Sequence, residues 1–369
     1  MACRHFPKGS RTECAQHDQT PEHIVRRGAA GADPQAAPFP VVSFPCFPFL
    51  AGKAVPLPLV FVRRRRYAPP SPRSFREDTA MHLRQPAVAG RFYTDVPADL
   101  RAGVESFLKQ GAALPASALA AGDAAHLAGL MLPHAGHVYS GRVIGATLAH
   151  VRLPRTVFLL CPNHTGLGTP LSVWPAGAWQ TPLGPVPVDG EMARLLCEAD
   201  EDFTADVMGH VREHSIEVLL PFLQVCAGDA PLHVVPVCVG TGQAPVLRTA
   251  GQRLARVLER CQSRDGQRPL LLVSSDMNHY EDQQTTLRKD GLALEAALKG
   301  DADALLATVA REGISMCGAA PLALAFYALR SWSPDTTVRA SLVMHETSAA
   351  VSRDTGHVVG YAGLRIFRC

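Results

Sequence analysis

The sequence predicts an α/β fold for residues 81–369, with a central, mostly parallel sheet held between helical layers. Three observations carry the prediction. Apolar runs of strand length recur along the chain, each ending in a loop. Stretches with helical spacing lie between several of them. Three of the runs lead straight into a loop that carries a histidine. Strands without polar alternation are covered on both faces, as in a sheet layered with helices.

Taken in order, the predicted strands are 127–132, 156–161, 232–239, 269–273, 338–343 and 357–366. The stretch 244–261 predicts a helix, because Leu247, Ala250, Leu254, Val257, Leu258 and Cys261 recur three and four apart, with Arg and Glu between. Residues 285–299 and 301–311 predict two more, the second capped by Asp301. A fourth helix, 321–330, starts on Pro321, where a missing N–H costs nothing. No internal repeat is evident.

The first 80 residues read differently. They hold 12 of the 30 prolines, with 12 Lys+Arg against 6 Asp+Glu, a net charge of +6. The remaining 289 residues hold 24 against 27, a net charge of −3. The basic character therefore belongs to the leader, and nothing in the rest calls for nucleic acid or an anionic membrane. The apolar stretch Phe39 to Val62 is broken by five prolines and carries Lys53, which makes a poor membrane span. The polar first 38 residues do not match a signal peptide. Arg63-Arg64-Arg65-Arg66 reads as a solvated basic run. No methionine lies between Met1 and Met81, so residues 1–80 are expected to be a disordered Pro/Arg-rich leader or a mis-assigned start.

Composition narrows the class. With 47% hydrophobic and 19% charged residues, the chain is neither wholly disordered nor a solvated polyelectrolyte. The ten cysteines form no CxxC pair, which excludes a secreted disulfide framework and a zinc ribbon. That usage fits a reducing cytosol, and a cytoplasmic location is expected.

The polar residues cluster at five places: Pro133-His134-Ala135-Gly136-His137, Cys161-Pro162-Asn163-His164, Arg212-Glu213-His214-Ser215-Ile216-Glu217, Ser274-Ser275-Asp276-Met277-Asn278-His279-Tyr280 and Met316-Cys317-Gly318. Ligands of open α/β sheets bind beyond the strand C-termini, so histidines placed there can converge from distant parts of the chain. Imidazole and thiolate together suit iron, copper or zinc. The bland readings are a structural loop histidine, an inert thiol at Cys317, and a local Asp276–His279 hydrogen bond that fixes a loop. There is no GxSxG elbow, no Walker loop and no GxGxxG after a strand, so serine-hydrolase and nucleotide-binding readings have no support.

Six segments in order, PAVAGRFY (86–93), PHAGHVYSG (133–141), CPNHTGLG (161–168), EHSIEVLLPF (213–222), SSDMNHY (274–280) and MCGAAP (316–321), with the ending GYAGLRIF (360–367), resemble the MEMO protein family. Its bacterial members are called AmmeMemoRadiSam system protein B. The resemblance spans about residues 84–367. It implies a fold similar to the class III extradiol dioxygenases, the LigB-type catalytic subunit. It implies a mononuclear metal, Fe(II) or copper, on His134, His164 and Cys317, with Asp276 and His279 beside it. Cys317 would stand where those dioxygenases have a carboxylate, so ring-cleaving chemistry does not carry over unchanged. His279 corresponds to their acid/base histidine. A radical-SAM protein and an AMMECR-type protein are the implied partners. Two positions depart from the family pattern. His137 stands where Tyr is usual, and is expected to face outward, the alternative being an extra ligand or a proton relay. Asn278 stands where some members have Cys.

The expected function is a redox role at this metal centre, on an unnamed small substrate. The rivals are an active extradiol-type dioxygenase, a metal-buffering protein, and a non-catalytic module that binds a peptide or protein in the old pocket.

Overall fold

The computed structural model describes residues 83–115, 121–199, 202–332, 335 and 337–369. The leader at 1–80 lies outside them. The elements in chain order are β1 (Leu83–Arg84), α1 (Pro97–Ala112), α2 (Ala121–His126), β2 (Leu127–Leu132), α3 (His137–Leu148), β3 (Thr156–Pro162), β4 (Leu171–Val173), β5 (Ala178–Thr181) and β6 (Gly184–Pro187). They continue with α4 (Gly190–Ala199), β7 (Phe203–Ala205), a 3-10 turn (Glu217–Leu219), α5 (Leu220–Ala227), β8 (His233–Val239), α6 (Ala244–Asp265), β9 (Leu270–Ser274) and β10 (His279–Glu281). The last are α7 (Gln283–Leu298), α8 (Ala302–Arg311), α9 (Ala319–Trp332), β11 (Val338–Thr347), α10 (Ala349–Ser352) and β12 (Val358–Arg368).

The predicted fold class is borne out. The large sheet runs β12-β2-β9-β3-β8-β4-β7, with β11 and β10 also pairing with β12. Its centre, β2-β9-β3-β8, is parallel, and antiparallel pairings enter where β12 meets β2, β10 and β11 and where β4 meets β8. Alternate residues feed opposite layers, as the period of two requires. Phe158, Leu160, Leu271 and Val273 join the cluster under α4 and α6–α9. Val157, Leu159, Leu270 and Leu272 join the cluster under α1, α3 and α5. Both faces are dry, which explains why the central strands read as unbroken apolar runs.

All six predicted strands and all four predicted helices are present, with ends moved by a few residues. The largest shifts, four residues each, are at the ends of α6, predicted to stop at residue 261, and of β11, predicted to stop at residue 343. Its continuation Met344-His345-Glu346 is polar in pattern but pairs with Ala362–Gly363 and Tyr361 across a bulge, so the hairpin partner carries it on. Asp301 caps α8 by accepting from Ala304 N–H at 3.0 Å, as expected. The short strands β4–β7 lack a long apolar run, and they went unpredicted.

One feature of the strand order positions the site. β9 inserts between β2 and β3, so Leu132 lies beside Ser274 and Leu160 beside Val273. The loops leaving these three strands carry His134, Asp276 with His279, and His164. Neighbouring strands are about 4.8 Å apart, so the three loops emerge from a strip about 10 Å wide.

Candidate metal centre

His134 leaves β2 two residues after its end and is buried. Its backbone N–H donates to Asp276 Oδ1 at 2.7 Å, and its Nδ1 lies 2.7 Å from Ser274 Oγ. The Ser274 hydroxyl donates its own proton to the Ser215 carbonyl at 2.7 Å. Ser274 Oγ therefore accepts from His134, and Nδ1 carries the proton. Nε2 is left with its lone pair, 3.4 Å from Cys317 Sγ.

His164 leaves β3 in the same way. Its backbone N–H and its Nδ1 bond the two oxygens of Glu213, at 2.7 and 2.9 Å. A carboxylate only accepts, so here too Nδ1 holds a proton, which leaves Nε2 as the nitrogen that would face an ion. His214 points Nδ1 at the same carboxylate, 3.4 Å away. One ligand atom from each of His134, His164 and His214 lies within 4.8 Å of the others. The His134 and His164 rings meet edge-on at 5.2 Å, and His214 stacks on His164 at 4.9 Å.

Electrostatics set His164 apart from the other two rings. Burial, reinforced by the neighbouring imidazoles, pushes His134 well below the usual histidine range. Burial lowers His214 to about 4, so both rings are neutral near pH 7. Burial would also lower His164, but Cys317 and Glu213 outweigh it and carry the ring up to about 11. Burial would raise Glu213, yet its bonds to His164 and the charges of both histidines hold it down to about 2. Burial pushes the Cys317 thiol up. That thiol accepts from Asp276 N–H at 3.2 Å, so Asp276 ties the His134 loop to the Cys317 loop.

The family model for Memo-like protein matches residues 84–365. An MEMO1 family protein of Desulfurococcus amylolyticus is 37% identical over 292 residues, covering 78% of this chain and all of the relative. One from Thermotoga neapolitana is 42% identical over 240 residues, covering 63% of this chain and 80% of the relative. The chain belongs to the MEMO family.

In this MEMO-family chain the structure gathers His134, His164, Cys317, Asp276 and His279 at one end of the sheet. His279 N–H donates to Ser315 Oγ at 2.7 Å, and its Nδ1 lies 2.8 Å from the Ser315 carbonyl. A carbonyl only accepts, so Nε2 of His279 is its free nitrogen. The Asp276 carboxylate is spent on the His134 backbone, so it braces the neighbouring loop. Tyr280, next to His279, takes φ +60°, a conformation bulky side chains avoid, which marks the loop as held from outside.

Three readings change. His137 is not outward-facing. It is buried, stacks on Tyr93 at 5.3 Å and donates Nε2–H to the Val218 carbonyl at 2.9 Å, so it packs as an aromatic and is neither ligand nor relay. Asn278 is buried and accepts from Ser315 N–H and Oγ, both at 3.1 Å, so it builds the loop that holds His279. His214 and Glu213 lay in a segment the sequence reading singled out, but no role at the metal was assigned to either. The missed signal was the segment itself. EHS follows no strand, so strand-end reasoning had no claim on it.

The donor set fits a transition metal. His134 and His164 each turn Nδ1 to a protein oxygen, a hydroxyl and a carboxylate, which is how metal-binding histidines are oriented, and His214 stands beside them. A thiol stands at their side.

Proposed function

We propose that this MEMO-family protein holds one non-haem iron or copper ion and does redox work on a small substrate. The observation that carries the reading is the shared orientation of His134 and His164, with their Nδ1 atoms bonded to Ser274 and Glu213, and the gathering of a His214 nitrogen within 4.8 Å of theirs. His134, His164 and Cys317 are the proposed ligands, joined by His214. A bound ion would supply electron transfer and Lewis acidity.

The chain's own residues supply the rest. Asp276 fixes the spacing of two ligand loops. His279, with Nδ1–H held by Ser315, offers Nε2 as the atom that takes up or returns a substrate proton. The proposal extends to the AmmeMemoRadiSam system, with radical-SAM and AMMECR-type proteins as partners, on the strength of family membership. Co-purification of tagged protein with those two proteins tests that extension, and their absence from the eluate would remove it.

The central test is metal content. Anaerobically expressed protein is expected to carry near-stoichiometric Fe or Cu by mass spectrometry, and His134→Ala to lose it. No metal in either, even after reconstitution, would overturn the reading and favour a peptide- or protein-binding module. His279 favours a second reading, a ring-cleaving dioxygenase. Oxygen consumption across a panel of catechols after Fe(II) loading supports it, and no turnover on any of them sinks it.

A further inference from the structure

The metal centre lies at the C-terminal ends of β2, β9 and β3. The opposite ends of the same three strands frame a cleft of about 390 Å³, within the size range of small-ligand pockets. Its walls are the end of α2 with the first residue of β2, the turn from α3 into β3, and the turn from α6 into β9. The polar lining is Arg152, Arg268, Gln262 and Gln267, and the apolar lining includes Leu153 and Leu270. Among the described residues, no Asp or Glu lines it. The three strands are five to seven residues long, so the cleft stands about 20 Å from the metal centre.

Two guanidinium groups distinguish this end of the sheet. Arg268 leads into β9, and its Nη1 donates to the Ala125 carbonyl at 3.0 Å, which fixes the fork at the cleft wall. Its Nε is buried and has no hydrogen-bond partner among the described residues. Arg368 ends β12, just after Phe367, which pairs with Leu127 at the same end of the sheet. Its guanidinium lies 4.4 Å over the Trp332 ring, and its Nη1 is likewise buried without a partner among the described residues. Burial lowers both arginines from their ordinary value, and the charge of Arg268 lowers Arg368 further. Arginine stays protonated in proteins, so two like charges persist side by side. Carboxylates on the adjoining elements are engaged elsewhere: Asp123 pairs with Arg339 at 2.9 Å, and Asp265 with Arg264 at 2.8 Å. Water could satisfy the donors, but it would leave the paired charge uncancelled.

We propose that this cleft is a second ligand site, one that takes a phosphate monoester. An arginine fork matches the oxygens of a phosphate, and a dianion offsets both charges at once. A monocarboxylate brings one negative charge to a place that holds two positive ones, so the phosphate is favoured. The Gln262 and Gln267 amides offer further N–H donors. Leu153 and Leu270 give the organic substituent an apolar wall. The site shares no residue with the metal centre and stands whether or not an ion binds there.

The experiment titrates phenyl phosphate, and benzoate for comparison, into the full chain by isothermal calorimetry. The variants are Arg268→Gln, Arg152→Gln, His134→Ala and Arg288→Gln, the last an exposed arginine on α7 that does not line the cleft. Circular dichroism confirms folding. Phenyl phosphate is expected to bind the parent at least about tenfold more tightly than benzoate. Its affinity should fall at least about tenfold in Arg268→Gln and about threefold in Arg152→Gln. The Arg152 side chain is exposed, so that variant decides the matter if Arg268→Gln does not fold. Affinity should stay within about twofold in His134→Ala and Arg288→Gln. No binding by the parent, equal binding of benzoate, or unchanged affinity in the cleft variants would overturn the proposal. A loss in His134→Ala would place the phosphate at the metal centre, and an equal loss in Arg288→Gln would reduce it to general charge; either overturns the proposal too. Metal content is measured on the same samples. A metal-free parent that binds phenyl phosphate through Arg268 would uphold this site and overturn only the metal-centre reading.

Discussion

Glu213 is the residue on which the centre turns. Its two oxygens hold the backbone and ring of His164, face the His214 ring, and bind Ser215. Glu213→Gln keeps the size but replaces one acceptor oxygen with a donor that confronts N–H groups. Metal affinity is expected to drop about 10- to 100-fold, measured by chelator competition, while the fold persists by circular dichroism. Two other histidines work as buried neutral rings. Burial lowers His137 to about 4 and His210 to about 4. Above the ordinary value of 6.5 both folded and unfolded forms are neutral, so nothing is lost. As pH falls below it the unfolded chain takes protons that the folded one refuses, so stability declines from 6.5 down to about 4. Denaturant melts across that range should show the slope, and His137→Phe should reduce it; an unchanged slope would remove His137 as a cause.

Among the elements, α9 and its leading turn place Cys317, and the contact that docks them is Gly318. Its N–H donates to Ser275 Oγ at 3.0 Å, and a Cβ there would run into the Ser275 side chain and meet the Ser274 carbonyl at 2.7 Å. Gly318→Ala must push the turn off the end of β9. The expected cost is about 1–3 kcal/mol in a denaturant melt, with Cu(I) affinity lost in parallel. The segment leading from β1 is anchored by a different device. Arg84 pairs with Glu217 at 2.7 Å, both essentially fully buried, and donates to the His210 and Glu213 carbonyls. Glu217 also accepts from Ala87 N–H, Val88 N–H and Tyr93 O–H, each within 2.9 Å. Arg84→Ala strands the carboxylate without its cation and is expected to cost about 3–5 kcal/mol. A melt shifted by less than 1 kcal/mol would show that the remaining donors suffice.

At the scale of the whole molecule, the elements among the described residues run from Leu83 to Arg368, and the proposed metal ligands lie between these limits. A protein starting at Met81 is therefore expected to match the full chain in melting temperature and metal stoichiometry. A large loss of either would show that the first 80 residues support the domain. No helix among the described residues is long and apolar enough to cross a membrane.

The sheet was legible in the sequence because its central strands are dry on both faces, and a doubly buried strand writes itself as an unbroken apolar run. Their C-terminal loops were legible for the same reason: His134, His164, Asp276 and His279 stand where those runs stop. The family motifs added Cys317. What only the tertiary structure decided is adjacency. Strand order is set by packing between distant segments, and nothing in the runs 127–132, 156–161 and 269–273 says that the last inserts between the other two. Ring orientation is decided there as well, because the Nδ1 partners, Ser274 and Glu213, come from segments far from the histidines they hold. His137 shows the same limit. Its neighbours in sequence pointed to the pocket, and the Val218 carbonyl with the Tyr93 ring drew it into the core instead. His214 joined the centre because Glu213, buried by its bond to the His164 loop, brought the adjacent residue with it.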